Sequence, residues 1–158
     1  MRVAAHRLTR LPAFLLTAIL ATALLALPTP STAQATTLTL GQRALAVAKL
    51  QYGDRYVYGA AGPNAFDCSG LTQYSYARVG RVLPHNALRQ YQVTHHILLS
   101  QLRAGDLVFM NFSGGGPSGI SHVGIYAGSG YWVVASTYGT PVRLQHIWTW
   151  RGVYASRP

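Results

Sequence analysis

Residues 67–80 read Asp-Cys-Ser-Gly-Leu-Thr-Gln-Tyr-Ser-Tyr-Ala-Arg-Val-Gly (DCSGLTQYSYARVG), and this stretch decides the fold. Asp67 is a residue type that caps helices, so the spacing predicts a helix over Cys68 to Val79. Leu71, Tyr74 and Tyr76 are its apolar positions and Gly80 its stop. The only cysteine of the chain, Cys68, then falls in a first helical turn. Unpaired backbone N–H groups and the helix dipole favour an anion there, which predicts a lowered thiol pKa and a reactive thiolate. The competing reading is a buried packing cysteine, which would gain nothing from a helix start.

On the N-terminal side, Leu45, Ala46, Ala48 and Leu50 lie among good helix formers over residues 40–50, and Gly53 follows. Residues 54–66 carry Gly59, Gly62, Pro63 and Asn64, a loop long enough to hold function. On the C-terminal side a short helix is expected over 86–93, and then the character of the chain changes. Residues 106–112 (DLVFMNF), 123–127, 131–135, 142–145 and 152–154 have strand composition, separated by the glycine-rich SGGGPSG and Gly128-Ser129-Gly130. Helices first and antiparallel strands second predict an α+β domain, one helical layer on a sheet. There is no internal repeat and no second domain boundary.

The chain has 158 residues, with 13 Lys+Arg against three acidic residues, all Asp, for a net charge of +10. A single cysteine excludes an internal disulfide framework and a Cys-rich zinc module. Arg2, Arg7 and Arg10 precede an apolar run from Leu11 to Leu27, and Ala33-Gln34-Ala35 follows Pro28 and Pro30. That is the three-part pattern of a secretory signal, and the apolar run is shorter than the roughly 20 residues of a spanning helix. The expected organisation is a signal peptide over 1–35 and one domain over 36–158. Cleavage would leave ten basic and three acidic residues, a net +7, and no stable membrane anchor. The domain is expected to be secreted or to lie in the cell envelope, as a monomer. No stretch joins Lys/Arg clusters to base-stacking aromatics, so nucleic acid is not the expected partner.

A thiol nucleophile needs a base. His122 is the leading candidate, because it opens a strand directly after the glycine-rich loop. The segments DCSGLTQYSYARVG, RAGDLVFMNF and SHVGIYAGSG, with the upstream YVYGAAGPNAFDCSG, together resemble the NlpC-type cell-wall peptidases. These are small papain-like cysteine peptidases of bacteria, and the match runs over residues 40–158. The resemblance implies a papain-like α+β fold, with N-terminal helices on a five- to six-stranded antiparallel sheet and a catalytic cysteine at a helix start.

It also implies hydrolysis of an amide in the peptidoglycan stem peptide, commonly between γ-D-glutamate and a diamino acid. Peptidoglycan is then the partner, with no cofactor and no metal. Cys68 matches the nucleophile, His122 the acid/base and Tyr56 the tyrosine beside the cysteine. Asp67 and Ser69 are expected first to support the helix start. The family's third catalytic residue, a polar side chain twelve positions after the histidine, falls here on Val134. Valine cannot accept a hydrogen bond from the ring. The candidate substitutes are a water or backbone carbonyl, a small register shift, or a nearby side chain among His85, Asn86, Gln145 and His146, with His85 ranked first as orienter. The alternative function is a weakened or inactive relative that binds peptidoglycan without cutting it. For the aromatics Tyr131, Trp132, Trp148 and Trp150 the alternatives are core or a substrate face, and core is expected for most.

Overall fold

The structure is a computed structural model, and it describes residues 37–158. The expected signal segment lies outside the described residues. Helix α1 spans Leu40–Lys49, and a capping box at Thr39 opens it. Thr39 Oγ1 accepts from the Gln42 N–H, and Gln42 Oε1 accepts from the Thr39 N–H. Two short parallel strands, β1 (Arg55–Tyr56) and β2 (Ala65–Phe66), bracket the loop over 57–64. Helix α2 spans Cys68–Ala77 and α3 spans Ala87–Gln92.

The remaining strands are β3 (His95–Ile97), β4 (Leu107–Met110), β5 (His122–Gly128), β6 (Tyr131–Val134), β7 (Arg143–His146) and β8 (Val153–Arg157). They form one six-stranded sheet in the order β3-β8-β4-β5-β6-β7, and every pairing in it is antiparallel. The α+β architecture expected from the sequence is the observed one. Strand β3 was not anticipated. His95 and His96 are exposed and lack apolar alternation, and they form a strand because β8 offers a free edge.

Each face of the sheet carries its own apolar cluster. Leu107, Phe109, Val123, Ile125 and Val133 face the helices, against Ala44, Leu45, Leu71 and Tyr76. Val108, Met110, Trp132 and Val134 alternate with them and pack with Ile147 and Val153 on the opposite face. Of the four aromatics, most of which were expected in the core, only Trp132 is buried. Tyr131, Trp148 and Trp150 are 41%, 56% and 43% exposed. Tyr131 opens β6 and packs on the His146 ring of the edge strand β7, and the two other tryptophans follow the end of β7. Among the described residues no helix is long and apolar enough to cross a membrane.

Candidate functional site

Two local constructions fix the start of α2. The Asp67 carboxylate accepts from the Gly70 N–H at 2.7 Å, from Ser69 Oγ at 3.1 Å and from the Gly59 N–H at 2.9 Å. One side chain therefore caps the helix and ties the preceding loop to it. The Asp67 N–H donates to the Ala60 carbonyl at 2.8 Å, which draws the same loop against the helix. Gly70 is required by that approach: a Cβ there would overlap the Ala60 carbonyl oxygen. From the other side, the fully buried Gln90 on α3 donates through Nε2 to the carbonyls of Ser69 and Pro84, at 2.9 and 2.8 Å. Gln90 was not singled out in the sequence, where a glutamine in a short polar helix gives no sign of burial.

Cys68 is thereby presented at the first position of α2, half-buried and unpaired. His122 is the first residue of β5 and only 6% exposed. Both line a cleft of about 400 Å³, together with Tyr56, Asp67, Ser69 and His85. These six residues thus meet in one cleft, although 66 positions separate Tyr56 from His122; of the other candidates singled out from the sequence, Asn86 lines it, and Gln145 and His146 do not. Phe112 and Ser136 line it too, and neither carried a sequence signal.

The electrostatics differ from the sequence expectation. Burial pushes the Cys68 thiol up to about 11, and the negative charge of Asp67 adds to this. The backbone N–H groups of Val123, Ser69 and Cys68 itself act in the opposite direction and do not prevail. The helix start was expected to lower this pKa; desolvation and the capping carboxylate outweigh it. Burial also lowers His122 to about 4, against a smaller upward pull from Asp67. Both shifts favour the uncharged forms, a thiol on Cys68 and a neutral imidazole on His122. Burial raises the Tyr56 hydroxyl as well, with further contributions from the charges of Cys68 and Asp67.

His85 does not take the expected place beside His122. Its Nε2 lies 2.9 Å from each carboxylate oxygen of Asp67, so it is paired with the helix cap. The other candidate orienters are also engaged elsewhere. Asn86 accepts from the Arg89 N–H as the cap of α3. Gln145 accepts from Ser136 Oγ and from Arg143. The His146 ring packs against Tyr131. Val134 is fully buried among apolar side chains. The imidazole of His122 instead meets aromatic rings. Trp132 stands edge-to-face at 5.3 Å and 81°, and Phe112 lies at 5.6 Å and 34°. Among the described residues no cluster of His, Cys, Asp or Glu is arranged to hold a metal.

An α+β domain that sets a lone thiol at a helix start against a histidine opening a strand defines a papain-like class of protein. Within that class, the NlpC/P60 family model matches residues 53–154, and the chain belongs to the NlpC/P60 family. It is 44% identical over 101 residues to a probable endopeptidase p60 of Listeria grayi, across 64% of this chain and 19% of that protein. The chain thus spans about a fifth of the length of that curated relative. Among solved structures it resembles the NlpC/p60 domain of the peptidoglycan hydrolase SagA, with 34% identity and a TM-score of 0.67, covering 75% of this chain and 98% of that one. It also resembles RipD of Mycobacterium tuberculosis, with 28% identity and a TM-score of 0.64, covering 77% and 98%. RipD is described as a non-catalytic NlpC/p60 protein adapted to peptidoglycan binding.

Proposed function

We propose that residues 36–158 form an exported cysteine peptidase that hydrolyses an amide of the peptidoglycan stem peptide, the bond between γ-D-glutamate and a diamino acid. The observation that carries this reading is the shared cleft, in which Cys68 at the start of α2 faces His122 at the start of β5. From the uncharged forms that both shifts favour, His122 acts first as a general base. It takes the thiol proton as Cys68 Sγ bonds to the amide carbonyl carbon. The oxygen of the tetrahedral intermediate is held by the Cys68 backbone N–H, with the Tyr56 hydroxyl as second donor. His122, now imidazolium, returns its proton to the departing amine as the C–N bond breaks, leaving a thioester. Water attacks that thioester while His122 takes its proton. The acid is released and Cys68 regains a proton from His122.

Residues 1–35 act in this reading as a cleaved signal, and the domain works as a monomer in the cell envelope. Mass spectrometry of the exported protein should find Thr36 at its N-terminus. Purified peptidoglycan incubated with the 36–158 protein should release peptide fragments, and the Cys68→Ala protein should release none.

Val134 supports a second reading, a domain that binds peptidoglycan without cutting it, as RipD is described to do. Retained binding to sedimented peptidoglycan with no fragments from the native protein would favour this second reading over the first.

A further inference from the structure

The proposed chemistry needs the His122 ring held at a fixed angle to Cys68, and no side chain at position 134 can hold it by a hydrogen bond. The sheet register shows what occupies that space. Tyr126 pairs with Trp132 and Ile125 with Val133, so Gly124 lies diagonally from Trp132 on the same face of the sheet. Trp132 does not stand straight up from its own pair. Its ring leans along the sheet over Gly124, where a Cβ would lie only 2.8 Å from Trp132 Cε3 and 2.9 Å from the Val133 carbonyl oxygen. The missing side chain of Gly124 is what lets the indole reach the imidazole. Trp132 is fully buried and Val134 packs in the same cluster. Trp148, 6.4 Å from Trp132, stacks over Phe112 at 6.3 Å and closes the assembly on the solvent side.

We propose that Trp132, seated over Gly124 and aided by Phe112, is the positioning residue of His122, fixing the plane of its imidazole by packing in place of a hydrogen-bonding third side chain. This rests on the reading of His122 as the acid/base of the cleft. An edge-to-face wall restricts rotation of the ring but supplies no acceptor for its N–H. It also fills the space that a polar residue at 134 would need, so restoring such a residue alone gains nothing.

Kinetics on a synthetic γ-D-glutamyl–diamino acid stem peptide test this in Trp132→Leu, Trp132→Phe and Gly124→Ala. Trp132→Leu should lower kcat about tenfold or more while KM stays within about twofold. Trp132→Phe should lose less. Gly124→Ala, whose Cβ presses on both the indole and the Val133 carbonyl from outside the cleft, should change kcat in the same direction. Val134→Gln should restore several-fold of the loss when added to Trp132→Leu, and should not raise kcat in the native background. Unchanged kcat in Trp132→Leu or Gly124→Ala, or a gain from Val134→Gln alone, would overturn the proposal.

If the native protein cleaves nothing, the peptidase reading fails and the packing claim is read separately. In His-labelled Cys68→Ala protein, the His122 ring signals should be displaced from their random-coil positions by the indole ring current, and Gly124→Ala should reduce that displacement. Unshifted signals in the Cys68→Ala parent would refute the positioning role. If Trp132→Leu does not fold, Gly124→Ala and Trp132→Phe decide the outcome.

Discussion

His85 Nε2 lies 2.9 Å from both carboxylate oxygens of Asp67, the residue that caps the helix carrying Cys68. The same carboxylate serves Gly59, Ser69 and Gly70, so it joins the loop, the helix and the segment before α3. Asp67→Ala should therefore cost more than an ordinary cap, about 2–4 kcal/mol in urea denaturation. Asp67→Asn keeps one acceptor oxygen and should lose roughly half as much. His85→Ala should cost less than either, because His85 is partly exposed and its loss leaves Asp67 three other donors.

Gln90 makes a second stability prediction. Its side chain is fully buried and satisfies the carbonyls of Ser69 and Pro84, with Thr72 Oγ1 at 2.7 Å from its Oε1. Gln90→Leu should fill the volume yet strand the Pro84 carbonyl, at about 1–3 kcal/mol, while the Ser69 carbonyl keeps the Thr72 hydroxyl as donor. The start of α2 should loosen with it, seen as faster amide hydrogen exchange at Gly70 and Leu71 than in the native protein.

Alkylation tests the ionisation of Cys68 directly. With the thiol pushed up to about 11, the rate of reaction with iodoacetamide should climb about tenfold per pH unit from pH ~7 to ~10. A resting thiolate–imidazolium pair would instead give a rate already on a plateau below neutrality. Such a plateau would show that the helix start outweighs burial after all.

Acid stability follows from His122. Its folded pKa is depressed from 6.5 to about 4. Below pH ~6.5 the unfolded chain takes up a proton that the folded chain refuses until about pH 4, so stability falls as pH drops through that window. The loss attributable to this ring approaches ~3 kcal/mol at the lower end. His122→Gln should show a shallower decline in denaturation midpoint between those limits, and an identical decline would contradict the assignment. At the basic end, Cys68 keeps its proton above its ordinary 9, so stability should fall again from about pH 9 to about 11.

Tyr56 supplies a test that separates catalysis from packing. Tyr56→Phe keeps the ring and its edge contact with Tyr138 at 5.2 Å but removes the hydroxyl. With that hydroxyl as an oxyanion donor, kcat should drop on the order of tenfold or more with little change in melting temperature. Equal activity in the two proteins would reduce Tyr56 to packing.

Much of the site was legible because its parts are local. Asp67-Cys68-Ser69-Gly70 writes its own cap and helix start, and the capping hydrogen bond to Gly70 forms within three residues. His122 was legible from a strand onset behind a flexible loop. Strand β3 was not, because an exposed edge strand needs only a free neighbour and leaves no alternation to read. His85 was placed in the right cleft but against the wrong partner, since chain position says nothing about which of two polar groups a ring will face.

The sequence by itself determined the α+β order, the lone thiol at a helix start, the candidate base and the valine where a polar side chain was expected. These depend on residue type and short-range spacing. Only the tertiary structure decided the direction in which the two pKa values move and what surrounds His122. Burial depends on which elements close over a group, and here they raise the thiol pKa against the pull of the helix start and lower that of the imidazole. The Trp132–His122 contact likewise exists only once the β5–β6 register sets Gly124 beneath the indole.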